Sequence, residues 1–150
     1  MSQRKLVKLP DSQMYDTECP VCVPVNKTVG LAPIRSLVRC SLEEITISSV
    51  DSAAIMTIIN ELGHNILRHA GRGKICFAVI GHGERLGIRI TAEDSGSGIP
   101  DLAMALKPGF SRDDGLGLGL PGIRNMADDV RIASLVSGGG TFIEVLKWLS

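Results

Sequence analysis

This chain has no excess of either charge and no long apolar run. Its 150 residues include 16 basic and 16 acidic side chains, so the formal net charge is zero. A neutral balance does not favour a nucleic-acid polyanion or an anionic membrane surface as a partner. No apolar run reaches the roughly 20 residues that span a bilayer, and the residues after Met1 are polar and basic rather than the apolar core of a signal peptide. We therefore expect a cytoplasmic protein with no membrane and no nucleic-acid partner.

The spacing of the cysteines predicts little. The four cysteines are Cys19, Cys22, Cys40 and Cys76, of which only the first two form a Cys-x-x-Cys pair. A structural zinc site needs four ligands, normally in two such pairs, and the neighbouring prolines favour an extended segment over the helix start of a redox motif. Cys40 and Cys76 lie in apolar-periodic segments, where small buried thiols are common. We expect free, reduced thiols, as is usual in a cytosol.

Composition and periodicity predict one globular domain of the α+β class. The chain is 44% hydrophobic, and we expect an N-terminal extension over residues 1–20 and one domain over residues 21–150. The pattern predicts helices at 30–42, from 48–49 to the glycines at 71 and 73, at 102–106 and at 121–129, and strands at 22–25, 74–80, 86–94, 130–136 and 141–148. These elements fit a two-layer sandwich, with helices on one face of a mixed, mostly antiparallel sheet.

Glu61 and Asn65 are the first candidate site residues. They lie four positions apart in the second predicted helix, so they project from the same face one turn apart. The apolar residues of that helix recur at spacings of three and four and leave this pair on another flank. A carboxylate can orient or deprotonate an attacking hydroxyl, and an amide oxygen can bind Mg²⁺. Alone, the pair also fits a solvated helix face, so this hypothesis depends on the motifs that follow.

Asp94 closes the second strand of the predicted hairpin and begins an Asp-x-Gly-x-Gly motif with Gly96 and Gly98. Ordinary turn chemistry is the alternative interpretation of this motif. However, Asp94 shares its strand parity, and therefore one sheet face, with Leu86, Ile88, Ile90 and Ala92. A carboxylate that continues a core-facing row needs a partner. The exocyclic amine of adenine is such a partner, whereas guanine carries a carbonyl at the equivalent position.

A second glycine loop, Gly-Leu-Gly-Leu-Gly, covers residues 115–119. Glycine lets the backbone approach a ligand closely, so that consecutive N–H groups can point at phosphate oxygens. Residues Gly117 to Gly122 match the dinucleotide-binding pattern Gly-x-Gly-x-x-Gly, but no predicted strand leads into this segment. The Walker pattern fails as well, because no Gly-Lys-Ser or Gly-Lys-Thr follows. What remains is a phosphate loop at the start of a helix, where anions bind readily.

The order of these motifs resembles the ATPase module shared by gyrase, the heat-shock chaperone, sensor histidine kinases and mismatch-repair proteins, the GHKL superfamily with its Bergerat-type fold. The last motif of the series is Gly139-Gly140-Thr141, which opens the final strand. The resemblance implies ATP and Mg²⁺ as cofactors, Glu61 as general base and Asn65 as the Mg²⁺ ligand. It also implies Asp94 and Thr141 as adenine contacts. The implied nucleotide loops contain Gly96, Gly98, Gly115, Leu116, Gly117, Leu118 and Gly119.

A narrower likeness is to the RsbT-type switch kinases of bacterial stress signalling. It is carried by residues 61–73, 92–101, 109–123 and 140–148 and spans roughly residues 22–149. The resemblance implies an ATP-dependent serine/threonine kinase that phosphorylates STAS-domain proteins of the stressosome and, when released, activates a partner phosphatase. Two features differ from that family: residues 1–20 have no counterpart, and the loop at Arg112-Asp113-Asp114 is more charged.

The segment 107–114 is expected to be a mobile lid that orders over the triphosphate. It contains Pro108 and Gly109 together with several charges, and it lacks an apolar period that would hold it against the core. Within it, Arg112 is the candidate to contact the transferred phosphoryl group, since phosphoryl transfer depends on charge neutralisation.

Two other kinds of function stay open. An anti-sigma factor kinase of the same module would hold a sigma factor as well, and co-purification with a sigma factor would identify it. A non-catalytic ATP-binding interaction module would not need a base, and Glu61 argues against that function. A histidine-kinase fragment is disfavoured because the pattern contains no dimerisation helix with a phospho-acceptor histidine.

Overall fold

An antiparallel sheet of six strands and three helices form the described part of the computed structural model, which covers residues 16–17, 20–96, 120–135 and 140–150. In chain order the elements are β1 (Asp16–Thr17), β2 (Val21–Asn26), α1 (Ala32–Glu43), α2 (Ser49–His69), β3 (Arg72–His82), β4 (Arg85–Asp94), α3 (Leu120–Met126), β5 (Asp129–Leu135) and β6 (Gly140–Trp148). The predicted α+β class is confirmed. The predicted helix at 102–106 and the lid at 107–114 lie outside the described residues.

The long helix α2 begins and ends where its sequence predicts. The Ser48 hydroxyl oxygen accepts a hydrogen bond from the Asp51 backbone N–H at 3.1 Å, which caps the first turn. The buried side chains recur at spacings of three and four: Ile55, Ile58, Ile59, Leu62 and Ile66. Beyond the last turn, Gly71 adopts a φ of 80°, and its N–H bonds to the Ile66 carbonyl at 2.9 Å. No described helix is long and apolar enough to cross a membrane.

The sheet has the strand order β1-β3-β4-β6-β5, and β2 pairs with β3 beside β1. All the described pairings are antiparallel. One face of the sheet packs under the helices, and the core cluster there includes Ile75, Phe77, Ile88, Ile90, Ala92, Ile143 and Val145. The predicted parity of β4 therefore holds from Ile88 onward. Leu86 is the exception: it is 44% exposed, because it lies beside the hairpin turn at the margin of this cluster.

The expectation of four free thiols is wrong for two of the cysteines. Cys22 in β2 lies directly opposite Cys76 in β3, and their sulfur atoms form a disulfide. The two residues are 54 positions apart, so their spacing gives no hint of the strand register that joins them. Cys76 is buried as predicted, but Cys40 is an exposed free cysteine, because it lies on the side of α1 away from the buried residues of that helix.

Candidate nucleotide-binding site

Glu61 and Asn65 lie one turn apart on α2, as the sequence predicts, and both side chains are half-buried. Burial raises the pKa of Glu61, because a carboxylate loses hydration there, and the positive charges of His64 and Arg68 partly offset this effect. A carboxylate with a raised pKa holds a proton more readily than an ordinary glutamate. It is therefore better matched to accepting a proton near neutral pH.

Asp94 is the last residue of β4, and its carboxylate is held by the turn that follows. The Gly96 backbone N–H donates a hydrogen bond of 2.8 Å to Asp94 Oδ1. This bond spans two residues, as in an Asx-turn, and it fixes one oxygen of the carboxylate while the second oxygen can accept from another donor. The turn chemistry considered as the alternative to a binding role is therefore present, and the two are compatible.

Two neighbouring strands approach Asp94 closely, and glycine occupies two of the contact positions, Gly73 and Gly140. Gly73 in β3 and Thr141 in β6 are its direct partners in the two ladders. A Cβ atom built on Gly73 would contact the Glu93 carbonyl oxygen and would lie 3.1 Å from Asp94 Cβ. Gly140 has a φ of 81°, and a Cβ there would overlap the Asp94 carbonyl oxygen. Thr141 is buried next to this contact.

The end of α2 lies against the same corner of the sheet. A Cβ built on Gly96 would lie 2.9 Å from the His69 carbonyl oxygen and 2.9 Å from Ala70 Cβ. The Ile66 side chain, on the same helix, lies 3.0 Å from the Cβ position of Gly73. Because α2 rises about 1.5 Å per residue, Asn65 lies about 6 Å and Glu61 about 12 Å along the helix axis from His69. The helix that carries the predicted base and metal ligand therefore ends beside the predicted adenine contact.

Sequence reasoning missed the part that Gly73 plays in this corner. The sequence pattern predicts only that Gly73 helps to stop α2, whereas Gly73 lies inside β3 opposite Asp94. The signal available in the sequence was a glycine near the start of an otherwise apolar strand, which often marks close backbone approach.

The remaining predicted site residues lie outside the described residues. They are Gly98, Arg112, Gly115, Leu116, Gly117, Leu118 and Gly119. From Leu120 the chain forms α3, which packs against α2, and Ile123 of α3 is buried in the same core cluster as the apolar side chains of α2. The glycine loop is thus joined at its C-terminal end to an element that contacts the helix of Glu61 and Asn65.

The described structure thus has a sheet covered on one face by helices, with a strand-end aspartate beside the end of the long helix that carries Glu61. The chain belongs to the histidine kinase-like ATPase domain family, whose model matches residues 24–147. Membership of this family implies ATP binding. At 39% identity over 128 residues, the chain is similar to the serine/threonine-protein kinase RsbT of Bacillus subtilis (strain 168), with 85% of this chain and 96% of that protein covered.

Among solved structures, the fold is similar to that of the mycobacterial sensor histidine kinase MprB. The TM-score is 0.54 at 18% identity, and the match covers 86% of this chain and 98% of that chain. At this identity the likeness concerns the fold alone. Together, these comparisons confirm the predicted fold and the predicted class, a kinase built on the ATPase domain.

Proposed function

We propose that this protein transfers the γ-phosphoryl group of Mg·ATP to a serine or threonine of a STAS-domain protein in a stress-signalling complex, and that it activates a phosphatase once released. The observation that carries the proposal is the half-buried Glu61, whose pKa is raised by burial on a helix that ends beside Asp94. The 39% sequence identity to a serine/threonine-protein kinase supports a protein hydroxyl as the phosphoryl acceptor.

Under this proposal, Asp94 anchors the base of the nucleotide. Its Oδ1 accepts from the Gly96 N–H, and Oδ2 accepts from the exocyclic amine of adenine. Thr141, the ladder partner of Asp94, adds a hydroxyl that can donate or accept at the ring edge. The close packing of Gly73 and Gly140 holds the carboxylate in one place, so little ordering is needed when the base binds.

Glu61 acts on the other reactant. It accepts the proton of the incoming serine or threonine hydroxyl as the oxygen attacks the γ-phosphorus and the bond to the β-phosphate oxygen breaks. Because the transition state for phosphoryl transfer is loose, positioning and charge neutralisation contribute more than the strength of the base. Gly96, Gly98 and the loop at 115–119 are proposed to surround the phosphates, with Arg112 in contact with the transferred group.

Asn65 is the proposed magnesium ligand, and its chemistry fits that ion. Mg²⁺ prefers oxygen ligands and usually keeps several waters, bound through one or two protein groups and substrate phosphates. Among the described residues no group of three or more His, Cys, Asp or Glu side chains is placed to hold a metal ion. A single amide oxygen on the flank of α2 can be one such protein ligand, with the nucleotide phosphates and waters as the others. When bound, Mg²⁺ neutralises charge on the phosphates.

The proposal is tested by incubating the protein with labelled ATP and candidate STAS-domain proteins. The unmodified protein and Glu43→Gln, which changes an exposed glutamate at the end of α1, should label one of them on serine or threonine. Glu61→Gln should reduce transfer by about 10²–10⁴-fold, while ATP affinity stays within a few-fold, because a general base acts on the hydroxyl and not on ground-state binding. Near-full transfer by Glu61→Gln would remove this residue from the mechanism, and labelling of no STAS-domain protein would reject the substrate class.

A further inference from the structure

The Cys22–Cys76 disulfide lies on the sheet face that points away from the helices. Ile75 and Phe77, the neighbours of Cys76 in β3, belong to the core under the helices. Because side chains alternate along a strand, Cys76 and its ladder partner Cys22 project to the opposite face. Cys76 is buried at 3% exposure, whereas Cys22 is exposed. The two residues of the disulfide are thus unequally exposed to a thiol in solution.

The disulfide adds a covalent link to the N-terminal half of β2, which is more exposed than the C-terminal half. Among the described strands β2 pairs only with β3, so it is an edge strand. Its C-terminal half is anchored by Val25, which is fully buried in the core. Its N-terminal half begins with Val21, which is 49% exposed, and Pro24 in the middle has no N–H to donate to the ladder. The first residues of β2 are held by their ladder pairs with β3, by the partly buried Val23 and by the disulfide, and reduction removes the covalent link among these.

We propose that Cys22 and Cys76 form a reversible redox site, in which exchange with a low-molecular-weight thiol such as glutathione releases or restores the first half of β2. Exposed disulfides are the labile ones, because the attacking thiolate can reach a sulfur atom. This site is separate from the proposed nucleotide chemistry and does not depend on it.

The exchange is balanced as two successive attacks. A glutathione thiolate attacks Cys22 Sγ, the S–S bond breaks, and Cys76 leaves as a thiolate that takes up a proton. A second glutathione thiolate then attacks the glutathione sulfur of the mixed disulfide and releases Cys22. Two electrons enter the protein, and two glutathione thiols are oxidised to one glutathione disulfide. With oxidised glutathione, the same steps proceed in reverse and form the Cys22–Cys76 disulfide again.

The test uses the full chain with Cys19→Ser and Cys40→Ser, so that the pair holds the only two thiols. The protein is equilibrated at a series of ratios of glutathione to its disulfide, and differential alkylation with peptide mapping measures the fraction of Cys22 bonded to Cys76. Hydrogen exchange is measured on the same samples. We expect the pair to pass from mostly thiol to mostly disulfide within the series, and exchange at β2 amides to quicken about tenfold or more on reduction, while β5 and β6 are unchanged.

Adding Cys22→Ser to this background provides the matched control, since it removes the exposed partner and leaves the buried one. Its β2 amides should exchange at the rate of the reduced protein at every glutathione ratio. The proposal is overturned if the pair stays oxidised at the most reducing ratio, or if it stays reduced at the most oxidising one. It is also overturned if β2 exchanges equally fast in the two states.

Discussion

Glu61 illustrates how a single position acquires its chemistry from the residues around it. Its place on the flank of α2 removes part of its hydration, which disfavours the charged form and raises its pKa. His64 and Arg68, one and two turns further along the same helix, act in the opposite direction through their positive charges. The carboxylate therefore has an affinity for protons that is set by its neighbours as well as by its own burial.

The raised pKa of Glu61 predicts the acidic limb of the pH–rate profile. As the proposed base, Glu61 would be active only when ionised, so kcat/KM should rise with pH through a pKa above the ordinary glutamate value of about 4.3. Since the folded-state pKa is the higher one, the same group stabilises the fold only at low pH, and that contribution is lost as pH rises through it. Arg68→Gln removes a charge that favours ionisation and should move the limb to higher pH. An acidic limb at the ordinary glutamate pKa would contradict this prediction, as would a limb that Arg68→Gln does not shift.

Asp94→Asn should weaken ATP binding by about 1.5–3 kcal/mol, because the proposed hydrogen bond from the adenine amine loses its charged acceptor. Glu93→Gln is the matched control. It changes the neighbouring carboxylate, which faces the opposite side of the sheet and pairs with Lys74 at 3.7 Å. Calorimetry with ATP and GTP measures both variants. If the unmodified protein binds the two nucleotides equally well, Asp94 does not select adenine.

At the scale of elements, the corner formed by β3, β4, β6 and the end of α2 depends on main-chain contact. Gly73 and Gly140 let two backbones approach Asp94 from either side, and Gly96 lets the following turn approach the last turn of α2. Strands at this distance leave no room for a methyl group, so the position of the carboxylate is set by backbone packing. Small displacements of these strands should therefore move the Asp94 carboxylate.

Gly73→Ala should reduce ATP affinity at least about tenfold, which corresponds to about 1.4 kcal/mol, because the new methyl group displaces β3 from Asp94. Gly87→Ala is the matched control on the neighbouring strand, where the methyl group would meet the Trp148 ring at 2.7 Å. Both variants should lose stability by about 1–3 kcal/mol through overpacking. Unfolding curves and nucleotide titrations of the two variants separate the effects. Equal ATP affinity in the two variants would contradict a positioning role for Gly73.

At the scale of the whole molecule, Asp51 joins the helix layer to the end of the sheet. This buried carboxylate in the first turn of α2 accepts hydrogen bonds from the Ser150 backbone N–H at 2.9 Å and the Ser150 hydroxyl at 2.8 Å, 99 positions further along the chain. Lys147 Nζ lies 3.7 Å from its other oxygen. The Ser150 backbone N–H is the main cause of a lowered Asp51 pKa, which burial partly opposes.

Asp51→Ala should lower the free energy of unfolding by about 1.5–3 kcal/mol at neutral pH, because the charged acceptor of these bonds is lost. The folded-state pKa is the lower one, so this stabilisation is complete above the ordinary aspartate pKa of about 3.9 and disappears as pH falls through the lowered folded value. Urea unfolding at several pH values measures the difference. Asp51→Asn keeps one acceptor and should lose less. A difference that does not change between neutral and acidic pH would contradict the assigned cause.

Most elements, the place of Glu61 and Asn65 on one flank of α2 and the place of Asp94 at the end of β4 could be predicted from the sequence, because each depends on local periodicity. A spacing of three and four residues determines the buried face of α2, and alternation determines the face of β4 from Ile88 to Asp94. The N-cap at Ser48 and the glycine after α2 are likewise local signals. The roles of the residues outside the described ranges, Arg112 and the loop at 115–119 among them, stay predictions.

Only the tertiary structure decided which distant residues meet. The Cys22–Cys76 disulfide, the place of Gly73 opposite Asp94 and the Asp51–Ser150 bonds all join residues far apart in sequence. The buried Glu144 carboxylate, which accepts from Arg89 Nη2 at 2.7 Å, is another such pair. Each depends on strand register or on the packing of a helix against the sheet. Register arises from the sum of many side-chain contacts between strands, and a one-residue slip would exchange the faces of a strand, so no single local pattern contains it.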